Sequence, residues 1–199
     1  MNKSLYEAAK NRRSIYAIGR KEVVSRERIQ EIVNNAMLFA PTAMNSQSGR
    51  IVVLFDKNHD RLWEITRETL RKMVPVDAFA PTDAKIDSFK AGSGTVLFFE
   101  DTNVVKGLEE QYALYKDNFQ PWSLQSSGML QYIVWTALEA EGLGASLQHY
   151  NPIIDQEVKE VFNIPASYKL LSQMPFGSIE AQAGERNAMP VEERVRFID

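Results

Sequence analysis

PWSLQSSGMLQYIVWTALEAEGLGASLQHYN, residues 121–151, is the stretch on which the fold reading turns. Between Leu124 and Leu138 the apolar residues do not keep to one face. Leu130, Tyr132, Ile133, Val134, Trp135, Ala137 and Leu138 are interrupted only by Gln131 and Thr136. A helix apolar nearly all round must be covered on most sides, so it belongs at the centre of the molecule. Pro121 and Ser123 form a start signal, and Gly142 and Gly144 follow the last periodic residues. The spacing therefore predicts a helix of about five turns between them. Polar residues interrupt it too often for a bilayer span, which needs about 18 or more nearly uncharged apolar residues. Two arrangements satisfy the pattern: a core helix of a monomer, or a core helix that also packs against a second subunit.

Working outward, the 199 residues are enough to bury a real core in one domain, 1–199. A net charge of −3, from 26 acids against 23 bases, offers no electrostatic case for nucleic acid or anionic membrane. Cysteine is absent, which excludes disulfides, thiolate catalysis and cysteine-held metal clusters. The two histidines, His59 and His149, are far apart in the chain, so no His-rich metal site is expected. The first residues, MNKSLYEAAKNRR, carry scattered charges and no apolar core, unlike a signal peptide, and a cytoplasmic address is the expectation.

Ser4 to Lys10 reads as a short helix that Asn11 stops, and Arg28 to Ala40 as a long one capped by Ser25 and closed by Pro41. The polar run Pro41 to Gly49 is a loop leading into a strand, Ile51 to Phe55. Helices are predicted for Asp60 to Met73, with Leu62, Ile65, Thr66, Thr69 and Leu70 inside, for Asp83 to Phe89 and for Leu108 to Phe119. TVLFFE, residues 95–100, has the length of a buried strand. After the central helix come a short strand or turn at Ala145 to Leu147, a helix from Asp155 to Phe162 and a strand from Lys169 to Phe176 that Gly177 lets turn. Val195 to Ile198 closes the chain as a short strand.

Several nucleotide motifs fail their structural test. Gly92-Ser93-Gly94 precedes a strand instead of following one, and Gly142-Leu143-Gly144 follows a helix and has Leu147 where a third glycine would stand. No P-loop or serine-hydrolase elbow occurs. What remains is Asn11-Arg12-Arg13-Ser14 near one end and Arg186 near the other. Arginine's planar fork fits a phosphate bidentately and a serine hydroxyl adds a donor, but arginines here would equally complement a helix C-terminus and point into water. Asn45 and Gln47 carry both donors and acceptors, which suits the acceptor–donor–acceptor edge of a flavin pyrimidine; an ordinary turn explains them too. The backbone of Gly142 to Gly144 is able to approach a flat ring closely, or to cap the helix. His149 and Tyr150 are catalytic candidates or hydrogen-bonded core residues.

Taken in order, N-R-R-S at 11–14, A-P-T-A-M-N-S-Q at 40–47, E-A-E-G-L-G-A-S-L-Q-H-Y-N at 139–151, F-G-S-I-E at 176–180 and G-E-R at 184–186 resemble the nitroreductase family of FMN-dependent oxidoreductases. The stretch Ala113 to Trp122 and the string Leu147 to Pro152 are similar to one branch, the short fatty-acid-repression-mutant-like and copper-induced nitroreductases. The resemblance implies an α+β fold of three layers, α/β/α, with a mixed, mostly antiparallel sheet flanked by helices. It implies an intertwined homodimer with FMN at the subunit interface. It further implies a ping-pong exchange of electrons from NADH or NADPH to a nitroaromatic or quinone, with no catalytic side chain and no metal. Arg12, Arg13, Ser14 and Arg186 match phosphate-binding positions, and Asn45 and Gln47 match a loop over ribityl and ring that the other subunit usually supplies. Gly142, Leu143 and Gly144 match backbone beside the flavin. Tyr16 departs from the pattern, since a lysine or arginine usually stands there near flavin N1 and O2; Lys85 and Lys90 are candidates to replace it. The missing cation motivates an alternative, a flavin-binding regulatory or stress-response protein with little turnover. A flavin-free interaction protein is a third reading.

Overall fold

The computed structural model describes residues 3–198. In chain order its elements are α1 (Leu5–Asn11), β1 (Ile18–Gly19), α2 (Arg26–Phe39), β2 (Gly49–Phe55), α3 (Asp56–Arg71), α4 (Ala80–Lys90), β3 (Gly94–Asp101), α5 (Thr102–Gln111), α6 (Lys116–Ala140), β4 (Leu143–Ala145), α7 (Asp155–Val161) and β5 (Tyr168–Ile179). Ser4 caps α1 through a reciprocal pair of bonds with Glu7, and Ser25 caps α2, each satisfying an N–H that the first turn leaves free.

The strands lie in the order β1-β5-β3-β2, with β4 also on β5, and every named pair is antiparallel. A parallel bridge between Ser14 and Ala145 makes the sheet mixed. Strand β3 explains the layering. Its residues are buried from Gly94 to Glu100, and because side chains alternate, Val96 and Phe98 face one side while Leu97 and Phe99 face the other. The first pair packs with Ile29, Ile32 and Ala36 of α2 and Leu130, Val134 and Leu138 of α6. The second packs with Leu62, Trp63 and Ile65 of α3, Ile86 and Phe89 of α4 and Val158 of α7. Helices therefore cover both faces, giving the α/β/α sandwich of an α+β fold.

The central helix is longer than predicted. It starts at Lys116 and carries Pro121 inside it. A proline there removes one backbone bond and costs roughly 3 kcal/mol. Burial of Phe119, Leu130, Val134 and Leu138 at about 1.5–3 kcal/mol each outweighs that cost, so the helix runs through the proline. The predicted helix from Leu108 to Phe119 is broken instead at Tyr112, whose φ of −123° and ψ of 63° are not helical. The helix α3 begins at Asp56, four residues before the predicted start, and it buries Trp63 completely while Thr69 and Leu70 stay half-buried.

Two further expectations are corrected. Gly177 does not turn the chain, since β5 continues to Ile179; it stands where a Cβ would meet the Gly19 carbonyl at 2.2 Å, so glycine is what lets β1 close on β5. Val195 to Ile198 forms no strand: this segment follows a single turn at Val191–Glu193 and has no pairing partner among the described residues, which leaves Phe197 and Ile198 exposed. Among the described residues no helix is long and apolar enough to cross a membrane.

Candidate active site

The N-R-R-S segment is stitched to the strand that follows the central helix. Ser14 bridges Ala145, and the Ile15 N–H donates to the Ala145 carbonyl at 2.9 Å. The Trp135 indole N–H reaches the same carbonyl at 3.2 Å. Arg12 caps α1 and lays its guanidinium on the Trp135 ring, 4.3 Å from the centroid. It is half-buried, and its Nε is buried without a hydrogen-bond partner, so it does not simply point into water.

Arg13 lines two cavities. One, of about 500 Å³, has Arg12, Ser14 and Tyr16 on one wall and Gln182 to Gly184 on the other. The second, of about 670 Å³, is lined by Arg13, Arg186, Lys3, Lys10, Gly142 and Leu143, with Trp135 and Glu139 beside them. Arg186 thus converges with Arg13 despite lying 173 positions away in sequence (186 − 13). Glu139 is bonded by Lys3 at 2.6 Å, and among the described residues Lys10, Arg13 and Arg186 have no carboxylate partner. Three such cations around one hollow fit a phosphate monoester, whose oxygens accept several charge-assisted bonds, and Arg12 with its unpartnered Nε lines the adjoining cavity, which shares Arg13.

Gly142 has a φ of 86° and caps α6, its N–H donating to Glu139 at 2.8 Å. Gly144 sits in β4, where a Cβ would stand 2.8 Å from Ile15. Both glycines have a structural requirement, and of the two only Gly142 lines the hollow. Tyr16 is half exposed, its ring 6.4 Å from that of Phe89. Lys85 lies over the same Phe89 ring, 5.9 Å from its centroid, whereas Lys90 is paired with Glu64. Of the two lysines, Lys85 alone has no carboxylate partner among the described residues.

Asn45 and Gln47 occupy a different cavity, about 270 Å³, together with Thr42, Ser48, Arg50, Glu100 and Ser123. Met44, Asn45 and Gln47 have φ of 53°, 52° and 50°. For residues other than glycine such left-handed backbone costs about 1–3 kcal/mol apiece, and it clusters at functional sites. Within one chain the carboxamides do not share the basic hollow.

The string 147–152 is largely structural. Gln148 bridges Gln173 in the backbone, and the Gln173 side chain accepts from Tyr150 N–H at 2.8 Å and donates to Asn151 at 3.3 Å. Burial pushes the Tyr150 phenol above its usual range. His149 is exposed and lies apart from these cavities. Sequence reasoning missed Trp135, Lys3 and Lys10 as members of the hollow. The i, i+4 spacing of Trp135 and Glu139 on one helix face was the available signal.

The family model described as the nitroreductase family matches residues 9–178. The chain belongs to the nitroreductase family. HBN1 of Saccharomyces cerevisiae is 33% identical over 178 residues, covering 88% of each protein. The nitroreductase FRM2 of the same yeast is 28% identical over 172 residues, covering 85% of each. Among solved structures, nitroreductase CinD from Lactococcus lactis in complex with chloramphenicol superposes with a TM-score of 0.91 at 48% identity, over 98% of this chain and 100% of that one. The same protein has been solved with 4-nitrophenol, at a TM-score of 0.90 and the same coverage. Family and fold together support an oxidoreductase.

Proposed function

We propose that this nitroreductase-family chain is one FMN-binding domain of a homodimer that passes electrons from NADH or NADPH to nitroaromatics or quinones in alternating half-reactions. The observation that carries the reading is the convergence of Arg13 and Arg186 with the helix-capping Gly142 around one basic hollow, beside Arg12 and Ser14. Arg12, Arg13, Ser14 and Arg186 would hold the phosphate, and the Gly142–Gly144 backbone would border the ring. Bound FMN would supply the two-electron chemistry between nicotinamide and acceptor. The chain's own residues would bind and orient, and Glu139 in the hollow is held by Lys3 through Oε1.

The second subunit is supported by two features. Asn45 and Gln47 line a cavity of their own, as expected of a loop that completes a partner's site. Leu38 and Phe39 of α2, with Leu124, Met129 and Tyr132 of α6, remain exposed on the helices that cover one face of the sheet. The CinD complexes with chloramphenicol and 4-nitrophenol make nitroaromatics the first acceptors to try.

The test is purification followed by anaerobic bleaching. Yellow protein that bleaches with NADH or NADPH and recolours on adding 4-nitrophenol or a quinone is expected. Pre-reduced protein that passes electrons to none of these overturns the proposal. Tyr16 favours one other reading, a flavin-binding regulatory protein, whose signature is yellow protein that neither nicotinamide bleaches. A flavin-free interaction protein would be colourless and would take up no FMN.

A further inference from the structure

Strand β3 is apolar from Val96 to Phe99 and then buries Glu100, whose carboxylate is 1% exposed with no cation partner among the described residues. A buried carboxylate persists only where donors satisfy it. Gln120 Nε2 donates at 3.0 Å to one oxygen and 3.3 Å to the other, and the Ser123 hydroxyl donates to the carboxylate as well. Ser123 Oγ is 3.2 Å from Ser48 Oγ. With the Ser123 proton committed to Glu100, Ser48 is the donor in that pair. Ser48 is itself buried, and its carbonyl accepts from the Asp101 N–H at 2.8 Å.

Ser48 ends the loop whose Met44, Asn45 and Gln47 are left-handed. Such backbone is kept only where the surroundings over-determine it. The acid next to Glu100 braces the other side: Asp101 accepts from Arg50 Nη2 at 3.0 Å, and Arg50 Nη1 donates to the Gln47 carbonyl at 2.7 Å. A carboxylate pair at the end of β3 therefore grips the loop at Ser48 and at Gln47. We infer that Glu100 is a positioning residue, acting through Ser123 and Ser48 to hold the loop so that the Asn45 and Gln47 carboxamides face their cavity. This inference rests on the reading of that loop as part of an FMN site.

Ser123→Ala cuts the relay with the smallest change. Ser126→Ala is the control, because the Ser126 hydroxyl is spent on the Trp122 carbonyl of its own helix at 2.9 Å. Hydrogen exchange on the flavin-free protein should show the Gln47 and Asp101 amides exchanging about 10-fold faster in Ser123→Ala and unchanged in Ser126→Ala. FMN titrated by flavin fluorescence should bind about 10-fold more weakly to Ser123→Ala. In an Asn45→Ala/Gln47→Ala background the further loss should be under about 2-fold, since the relay would then have nothing to position. Glu100→Gln still accepts from Ser123 if Gln120 turns its carboxamide, so it should stay within about 3-fold of the parent while Glu100→Leu does not. Equal loss in both backgrounds, no loss at all, equal loss from Ser126→Ala, or a Glu100→Gln as damaging as Glu100→Leu each overturns the inference. If Asn45→Ala/Gln47→Ala binds FMN as the parent does, the flavin reading of the loop fails and the inference with it.

Discussion

The guanidinium of Arg12 rests on the ring of Trp135, 4.3 Å from its centroid, and so ties the end of the first helix to the C-terminal part of the central one. The stack orients a cation whose Nε has no hydrogen-bond partner beside the hollow that Arg13 and Arg186 share. A cation–π contact of this kind is worth about 0.5–2 kcal/mol. Trp135→Leu should therefore weaken FMN binding by roughly 2- to 30-fold in a fluorescence titration, while Trp135→Phe, which keeps a ring face, should lose less. Identical losses for the two variants would assign the effect to the indole N–H on Ala145 and not to the stack.

On the proposed reading Arg186→Ala would remove a charge-assisted contact to phosphate worth about 1.5–3 kcal/mol, so FMN affinity should fall on the order of 10- to 100-fold. Riboflavin carries no phosphate, and its affinity should barely change. Arg186→Lys keeps the charge without the fork and should fall between. Matching losses for FMN and riboflavin would make Arg186 structural.

On the proposed FMN reading, Tyr16 stands where a cation would stabilise an anionic reduced flavin. Tyr16→Lys should raise the flavin potential and speed anaerobic bleaching by NADH about 10-fold, followed by rapid mixing. Lys85, which shares the Phe89 ring with Tyr16, is the residue to change next. Lys85→Gln should slow bleaching of the parent. A Tyr16→Lys protein with unchanged potential and rate would show that this position does not sense the ring.

His59 sets a pH dependence of stability. It is fully buried, its Nε2–H donates to the Lys90 carbonyl at 3.1 Å, and its Nδ1 accepts from the Thr95 hydroxyl at 2.8 Å. Burial lowers its pKa from 6.5 to about 4, against the opposing pull of the Lys90 carbonyl. Between those values the unfolded chain binds a proton that the folded one refuses, so stability is full above pH 6.5 and declines as pH falls to about 4. The loss from this group amounts to about 3 kcal/mol, read from urea midpoints across that range. The His59 ring resonances should stay in the neutral form at pH 5; titration near pH 6.5 would refute the burial argument.

The last described residues, Val195 to Ile198, stay exposed, Phe197 and Ile198 above all. If they pack on a second copy, deleting the chain from Arg194 onward should weaken the dimer and lower FMN content together. Light scattering and the flavin absorbance of the purified protein measure both. A truncated protein that stays dimeric and yellow would assign the tail no part in either.

Local chemistry was enough to read much of this molecule from its residues. Ser25 caps its helix as predicted, because a hydroxyl next to free N–H groups needs no distant partner, and Ser4, read as the first residue of a helix, proves to be the cap of α1 for the same reason. TVLFFE is buried on both faces because six such residues in a row have no solvent side. The N-R-R-S and G-E-R motifs suggested anion-binding chemistry from their residue types, and the same residues left a helix-end role open. The helix through Pro121 was not, since the cost of that proline is local and the burial that offsets it comes from β3 and α2. Gly177 looked like a turn because only the approach of the Gly19 carbonyl shows why glycine is required. Arg186 meets Arg13, Arg12 lies on Trp135, and Glu100 reaches Ser48 through Ser123 across spans that periodicity does not measure. Residue types carry the chemistry of a site, but convergence is a property of the sheet: pairing β4 and β5 brings the two ends of the chain onto the same central helix.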